Sequence, residues 1–251
     1  MSLHIAEHGA GGAGPPWVLL HGWGFDARVL EPLARRLAVG RRVLAVDLPG
    51  WGDSDPVADG SDPARLAQAV LARVPRPAHW LGWSLGGLVA LAAAAREPAA
   101  VAGLDLLAAS PRFTAAPGWP GIEPAELTAF IEAVTDDPAG AHRRFLGFQL
   151  AGSAHARRTL RVLRRQAAAA TLPSAGTLQS GLELLRQADL RTELAALSCP
   201  VRALLGGADP LVPAAVGERL AAAGVAVHVL EGAGHAPFIS HADAVLARLM
   251  E

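Results

Sequence analysis

Lysine, tyrosine and asparagine are absent from this chain of 251 residues, so all 22 of its basic residues are arginine. They are balanced by 23 acidic residues to a net charge of −1. A near-neutral chain has no charge-driven attraction to the nucleic-acid backbone, and no nucleic-acid partner is expected. There is one cysteine, Cys199. It can form no internal disulfide, which fits a reducing compartment. Cys199 precedes Pro200 at the start of an apolar run and has no activating neighbour, so a buried structural thiol is expected rather than a nucleophile. No uncharged apolar run is long enough to span a bilayer, and no membrane association is expected. Residues 1–4 show no basic stretch leading into an apolar core, so no signal peptide is expected, and the expected location is cytoplasmic.

The length suits one large domain with room for a smaller insertion. Short, almost continuously apolar runs occur at 17–21, 42–48, 78–83, 104–108, 201–205 and 225–230, as expected of parallel strands buried on both faces. Helical patterns lie between them at 26–39, 62–74, 85–96, 213–223 and 242–250. This alternation predicts an α/β fold with a mostly parallel, doubly wound sheet. A further strand is expected near 4–8, followed by a Gly/Pro-rich turn over 9–16. The rhythm stops between residues 110 and 189, where a Pro/Trp loop leads into several helical stretches. The expected organisation is a core made of residues 1–109 and 190–251, with 110–189 inserted as a helical lid.

Gly82-Trp83-Ser84-Leu85-Gly86 sits between a strand and a helix, the nucleophile-elbow pattern of the α/β-hydrolase fold. Such a turn needs small flanking residues, holds the hydroxyl clear of the sheet, and puts the Leu85 N–H at a helix N-terminus facing a developing oxyanion. A nucleophilic serine needs a base, and the base an orienting acid. Asp209, after the strand at 201–205, and His235, after the strand at 225–230, follow Ser84 in the order this fold uses. They bracket one βαβ unit, whose right-handed crossover puts both at the carboxyl edge of the sheet with Ser84.

Other candidates fit other roles. His21-Gly22-Trp23-Gly24 matches a loop whose Trp23 N–H faces the reacting carbonyl, leaving His21 structural. Asp47 precedes Ser84, which breaks the order, and reads as a loop organiser. Asp105 is expected near the start of its strand, at the wrong edge, and His241 at a helix start as a cap or surface residue. Between Asp137 and Glu183 there is no acidic residue but there are seven arginines, at 143, 144, 157, 158, 161, 164 and 165. The last five recur at helical spacing, so several share a face that could steer an acidic partner to the site; the alternative is a solvated face paired with acids elsewhere. Phe113, Trp119, Phe130, Phe145 and Phe148 are candidates to line an acyl tunnel, or to pack the lid.

His21-Gly22-Trp23-Gly24, Asp47-Leu48-Pro49-Gly50, Leu81–Leu88, Gly234–Phe238 and Ile239–His241, with Ser110-Pro111, Trp119–Ile122, Arg144–Leu146, Gln149 and Gly181–Leu185, resemble the pimeloyl-[acyl-carrier protein] methyl ester esterases of biotin synthesis. The likeness runs from about residue 17 to 241; the segment 110–189 is richer in alanine here, and the turn at 9–16 looks expanded. The resemblance implies a cytoplasmic serine esterase that frees the carboxylate of a methyl-pimeloyl chain carried on acyl carrier protein, with no metal or other cofactor. It implies Ser84, Asp209 and His235 as the triad and Trp23 and Leu85 as oxyanion donors. Trp23 and the segment Phe145, Leu146, Gly147, Phe148, Gln149 would contact the acyl chain. The acidic carrier suits the arginines, and Arg144, Arg157 and Arg161 are the expected contacts. A general short-acyl carboxylesterase, a C–C bond hydrolase with the same triad, and a ligand receptor on this scaffold remain alternatives; a haloalkane dehalogenase is disfavoured because Ser84, not an aspartate, holds the nucleophile position.

Overall fold

The computed structural model describes residues 2–12 and 14–251. Met1 and Ala13, which belong to the expected N-terminus and the expected 9–16 turn, lie outside the described residues. Seven strands, β1 (Ile5–His8), β2 (Trp17–Leu20), β3 (Val43–Val46), β4 (Ala78–Trp83), β5 (Val101–Leu107), β6 (Val201–Gly206) and β7 (Ala226–Leu230), form one sheet in the order β1-β3-β2-β4-β5-β6-β7. Only β1 runs antiparallel, against β3. The runs of β2, β3 and β4 and most of β5 and β6 are buried on both faces, because successive side chains point to opposite sides and both sides are covered. The run at 225–230 departs from that expectation: it forms the edge strand β7, whose residues are half-buried or exposed. In β2, Trp17 and Leu19 join one core with Val43, Ala45, Leu81 and Leu204, while Val18 and Leu20 join the other with Val46, Trp80, Leu104 and Leu106.

Outside residues 110–189, helices α1 (Glu31–Leu37), α2 (Pro63–Leu71), α3 (Leu85–Arg96), α8 (Arg191–Ala195), α9 (Val216–Ala222), α10 (Pro237–Ser240) and α11 (Ala242–Leu249) accompany the sheet. The helix expected over 26–39 is divided: Asp26 caps a 3-10 turn over Ala27–Leu30, and α1 follows with Pro32 in its first turn. Proline is tolerated there because the first-turn N–H groups have no intrahelical acceptor. Asp105 is corrected too. Strand β5 begins four residues earlier, at Val101, and Asp105 sits inside it, opposite Leu81 and Arg202. Gly103 interrupts the apolar run, which hides that beginning from a hydrophobicity reading. The Asp105 carboxylate is buried against His79 Nε2 at 2.7 Å and Arg202 Nε at 2.6 Å, a pair internal to the sheet. Cys199 is half-buried rather than buried, just ahead of β6; desolvation raises its thiol pKa, and it stays protonated and unreactive.

Four of the five helices between β5 and β6 fall within residues 110–189: α4 (Pro124–Asp136), α5 (Pro138–Phe148), α6 (Ala156–Ala169) and α7 (Ala175–Gln187). Leu127, Val134, Phe145, Leu178 and Leu182 join one sheet-face core, and Leu146 and Leu163 join the other. The segment therefore packs onto both cores, and α5 is shared between them. Its two ends are stitched where the chain leaves and re-enters the sheet. Leu190 N–H donates to Pro111 O at 2.9 Å, and Asp189 takes Arg112 at 2.8 Å and Arg191 at 2.7 Å. Among the described residues, no helix is long and apolar enough to cross a membrane.

Arg191, and then Arg112, hold the Asp189 carboxyl down to about 2 from its ordinary 3.8. The contribution of this seam to stability is therefore complete above 3.8 and lost as pH falls through about 2. Asp189→Asn is expected to remove that portion of the acid limb when urea midpoints are followed against pH. An unchanged acid limb rejects the seam.

Candidate active site

The strand order turns outward in both directions from β2 and β4: β2 leads to β3 on one side and β4 to β5 on the other. In an open α/β sheet this is where the loops diverge and leave a crevice. Leu20 pairs with Gly82, so the residues just beyond β2 lie beside those just beyond β4. Ser84 follows β4 with φ 55° and ψ −121°, a conformation that costs a non-glycine residue roughly 1–3 kcal/mol. The turn fits only because its flanks are bare. A Cβ on Gly82 would lie 2.3 Å from Gly86 O, and one on Gly86 would lie 2.5 Å from Leu20 O. Ser84 N–H donates to Leu107 O at 3.0 Å, tying the turn to β5.

Ser84 Oγ lies 2.7 Å from His235 Nε2, and His235 Nδ1 lies 2.7 Å from Asp209 Oδ2. All three side chains are buried. The Asp209 Oδ1 accepts from the N–H groups of Leu211 at 2.8 Å and Val212 at 3.1 Å, which holds the carboxylate as an acceptor aimed at the ring. The carboxylate requires Nδ1–H, which leaves Nε2 as the acceptor for the Ser84 hydroxyl. Such a relay can move the serine proton to the imidazole and stabilise the imidazolium that results. The His235 main chain is held on both sides: its N–H donates to Gln149 O at 3.1 Å, and its carbonyl accepts from Trp83 Nε1 at 2.7 Å. The sequence marks Trp83 only as the neighbour of Ser84; its hold on a residue far along the chain appears only in three dimensions.

On the other side of Ser84 lies the loop after β2. A Cβ on Gly22 would sit 3.2 Å from Ser84 Cβ, so the Gly22-Trp23 backbone packs against the serine. Leu85 is the first residue of α3, where an amide has no intrahelical acceptor. Among the described residues, neither the Trp23 nor the Leu85 amide donates to a protein acceptor. His21 is fully buried: its Nδ1 meets Gly22 O at 2.9 Å and its Nε2 accepts from Leu48 N–H at 3.0 Å. Burial lowers its pKa, so it is a neutral structural residue at neutral pH. Asp47 accepts from the N–H groups of Ala27 at 2.7 Å and Asp53 at 2.9 Å, organising the loops as expected. His4, Asp47 and Asp53 are the one group with metal-ligand spacing among the described residues. Within it, Asp47 Oδ2 takes both His4 Nδ1 and the Asp53 N–H. His241 opens α11 without a side-chain cap and contacts the His155 ring at 5.5 Å.

Ser84 lines an apolar cavity of about 510 Å³. Phe113, Leu127, Phe145, Leu182 and Leu211 supply its buried wall with the half-buried Phe130, and the exposed Glu126, Arg144 and Phe148 mark its solvent side. Of the segment expected to contact a chain, Phe145 and Phe148 line the cavity; Leu146, Gly147 and Gln149 do not. The helical turn of α5 explains the division, since Leu146 points into the other core. Trp23 and Trp119 do not line it either. The Trp23 ring packs behind, 4.9 Å from Phe145 and 5.4 Å from Phe130. Arg144, Arg157 and Arg161 are exposed with the other four arginines of the segment, and among the described residues none of the seven pairs with a carboxylate. The alternative of a face neutralised by acids elsewhere therefore fails.

A family model described as "Alpha/beta hydrolase family" matches residues 17–248. The chain belongs to that family. The hydrolase is 46% identical over 234 residues to the pimeloyl-[acyl-carrier protein] methyl ester esterase of Methylococcus capsulatus, covering 92% of each chain. It is 42% identical over 250 residues to the protein of the same name from Edwardsiella ictaluri, covering 97% of this chain and 95% of that one. These relatives place it among the carboxylic ester hydrolases. Its fold matches an esterase from Exiguobacterium antarcticum with a TM-score of 0.86 at 28% identity, over 99% of this chain and 94% of the other.

Trp83→Phe keeps an aromatic side chain, trims the buried indole to a phenyl and removes the donor to the buried His235 carbonyl. The unpaired acceptor is expected to cost about 1–3 kcal/mol of stability. The loosened imidazole is expected to lower kcat by roughly tenfold or more, with KM little changed. Urea unfolding and steady-state kinetics on a small ester check both.

Proposed function

We propose that this hydrolase is a serine carboxylesterase that converts methyl-pimeloyl-[acyl-carrier protein] to pimeloyl-[acyl-carrier protein] and methanol in biotin synthesis. The observation that carries the reading is the Ser84–His235–Asp209 hydrogen-bond chain opening onto an apolar cavity, in a chain whose curated relatives share one substrate name along almost their whole length. His235 Nε2 takes the Ser84 proton as Ser84 Oγ attacks the methyl ester carbonyl. The amides of Trp23 and Leu85 stabilise the oxyanion. Methanol leaves with the proton from His235, and water, activated by the same imidazole, releases the carboxylate. Asp209 keeps the ring in the required tautomer throughout. The residues carry the reaction without a cofactor.

Residues 110–189 act as the lid in this reading, over a core of 1–109 and 190–251. Phe145 and Phe148 contact the acyl chain; Leu146, Gly147 and Gln149 lie outside the cavity lining. The unpaired arginines supply the surface for an acidic carrier, with Arg144 at the cavity and Arg157 and Arg161 on the exposed face of α6. We place the activity in the cytoplasm, where a single unpaired cysteine suits the reducing conditions.

Purified protein incubated with methyl-pimeloyl acyl carrier protein is expected to lose the methyl group quickly by mass spectrometry, and to act slowly on free methyl pimelate. Good turnover of small esters with none on the carrier leaves a general esterase. Ser84→Ala is expected to lower kcat by roughly 10⁴–10⁶ with the fold intact, and wild-type turnover in that variant rejects the nucleophile. Replacing Arg157 and Arg161 together with Glu is expected to weaken carrier-borne turnover and spare small free esters. Equal loss on both substrates rejects docking.

A further inference from the structure

The loop that carries the Trp23 amide has few holds of its own. Among the described residues, no main-chain to main-chain turn or loop bond involves residues 22–25. One side-chain bond, from His21 Nδ1 to Gly22 O, is internal to the loop region. The others leave the sheet altogether. Trp23 Nε1 donates to Leu178 O on α7 at 2.8 Å, and His142 Nε2, on α5, meets Gly24 O at 2.8 Å. Since a carbonyl can only accept, His142 must carry its proton on Nε2. The fit is close, because a Cβ on Gly24 would lie 2.7 Å from His142 Nε2. The imidazole is buried, 5.8 Å from the Trp23 ring and 6.1 Å from the Phe25 ring. Desolvation by this surround, with Gly24 opposing and Arg143 assisting, lowers its pKa and keeps it neutral. A neutral, buried donor with one carbonyl partner is a fixed strut.

We infer that His142 is a positioning residue for the oxyanion loop: through Gly24 O it suspends the Trp23 amide from the helical insertion. The inference rests on the Ser84 esterase reading above. Its consequence is a mechanical link between the lid and the reacting carbonyl. The loop packs on Ser84 through Gly22 at its near end and hangs from α5 and α7 at its far end. Arg144 of the cavity rim lies two residues from His142 on the same helix. Any displacement of α5 is therefore delivered to the amide that must meet the oxyanion, and the insertion completes the catalytic site as well as covering it. A loop held by main-chain bonds within the sheet would have no such dependence.

The test uses p-nitrophenyl butyrate, so the outcome does not depend on whether a carrier-borne ester is the natural substrate. Losing one oxyanion donor outright costs roughly 10²–10³ in kcat, and a donor left in place but misaligned should cost part of that. His142→Leu, which removes the strut and keeps the bulk apolar, is expected to lower kcat roughly 10- to 100-fold with KM within about twofold. His142→Gln, whose amide N–H can reach the same carbonyl, is expected to restore kcat to within about threefold of wild type. A merely structural role for His142 would lower the fraction of active enzyme or raise KM, and glutamine would not repair it selectively. If His142→Leu does not fold, Trp23→Phe tests the suspension of the loop through its second bond, because it keeps an aromatic side chain and loses the donor to Leu178 O; kcat should again fall while KM holds, and wild-type kcat in that variant overturns the inference. Wild-type kcat in folded His142→Leu, a loss in KM alone, or a kcat deficit that His142→Gln leaves unrepaired overturns the inference. Failure of the esterase reading is seen separately, as full turnover of the same ester by Ser84→Ala.

Discussion

The contact between Gly86 and the carbonyl of Leu20 holds the site together. Strand β2 and the start of α3 approach so closely there that no side chain fits between them. That approach lets Ser84 occupy its positive-φ conformation, because the helix that follows is pressed against the end of the neighbouring strand. It also sets the His21–Gly24 loop beside the hydroxyl, since the loop starts where Leu20 ends. Ser84 and the unbonded Trp23 and Leu85 amides are thus adjacent for one steric reason. Asp209 and His235 arrive from the far side of β5, on loops after β6 and β7, and meet the serine because parallel strands deliver all their carboxyl ends to one edge.

Around this point the protein spends much of its aromatic content on positioning. Trp83 holds the His235 carbonyl, and Trp23 reaches α7 with its indole N–H while its ring packs on Phe145 and Phe130. Each couples an apolar body to a single polar tip, which a buried indole can do without leaving an unsatisfied group. The cavity wall is consequently apolar near the serine, and charge is confined to the solvent side, at Glu126 and Arg144. Arg143 and the arginines of α6 lie outside the cavity lining and, like Arg144, have no carboxylate partner among the described residues, so their field is available to an incoming acidic molecule.

Much of the architecture was legible in the sequence. Strands β2, β3, β4 and β6 announce themselves as apolar runs, because a strand covered on both faces has few polar positions to break the pattern; β7 reads the same way although it is a half-exposed edge strand. The chain order of Ser84, Asp209 and His235 sufficed to choose among several histidines and aspartates, and the structure brings those three within hydrogen-bond reach. The reading failed where local chemistry overrode periodicity. Pro32 divided the first helix, and Gly103 concealed the beginning of β5 and so misplaced Asp105. Within α5, a run of residues attributed together to the chain-binding surface proved to face three ways, because adjacent helical residues diverge by about 100°.

What the sequence determined alone was chemistry bound to chain order: an elbow between strand and helix, an acid and a base after later strands, and an insertion rich in unpaired positive charge. Each follows from local propensity or from the handedness of βαβ units, which a linear pattern carries. What only the tertiary structure decided was support. That Trp83 holds His235, that Gln149 accepts from the same residue, and that His142 and Leu178 suspend the loop of Trp23 are contacts between residues far apart in the chain. No periodicity encodes such pairs, because they are set by how the insertion seats on the sheet.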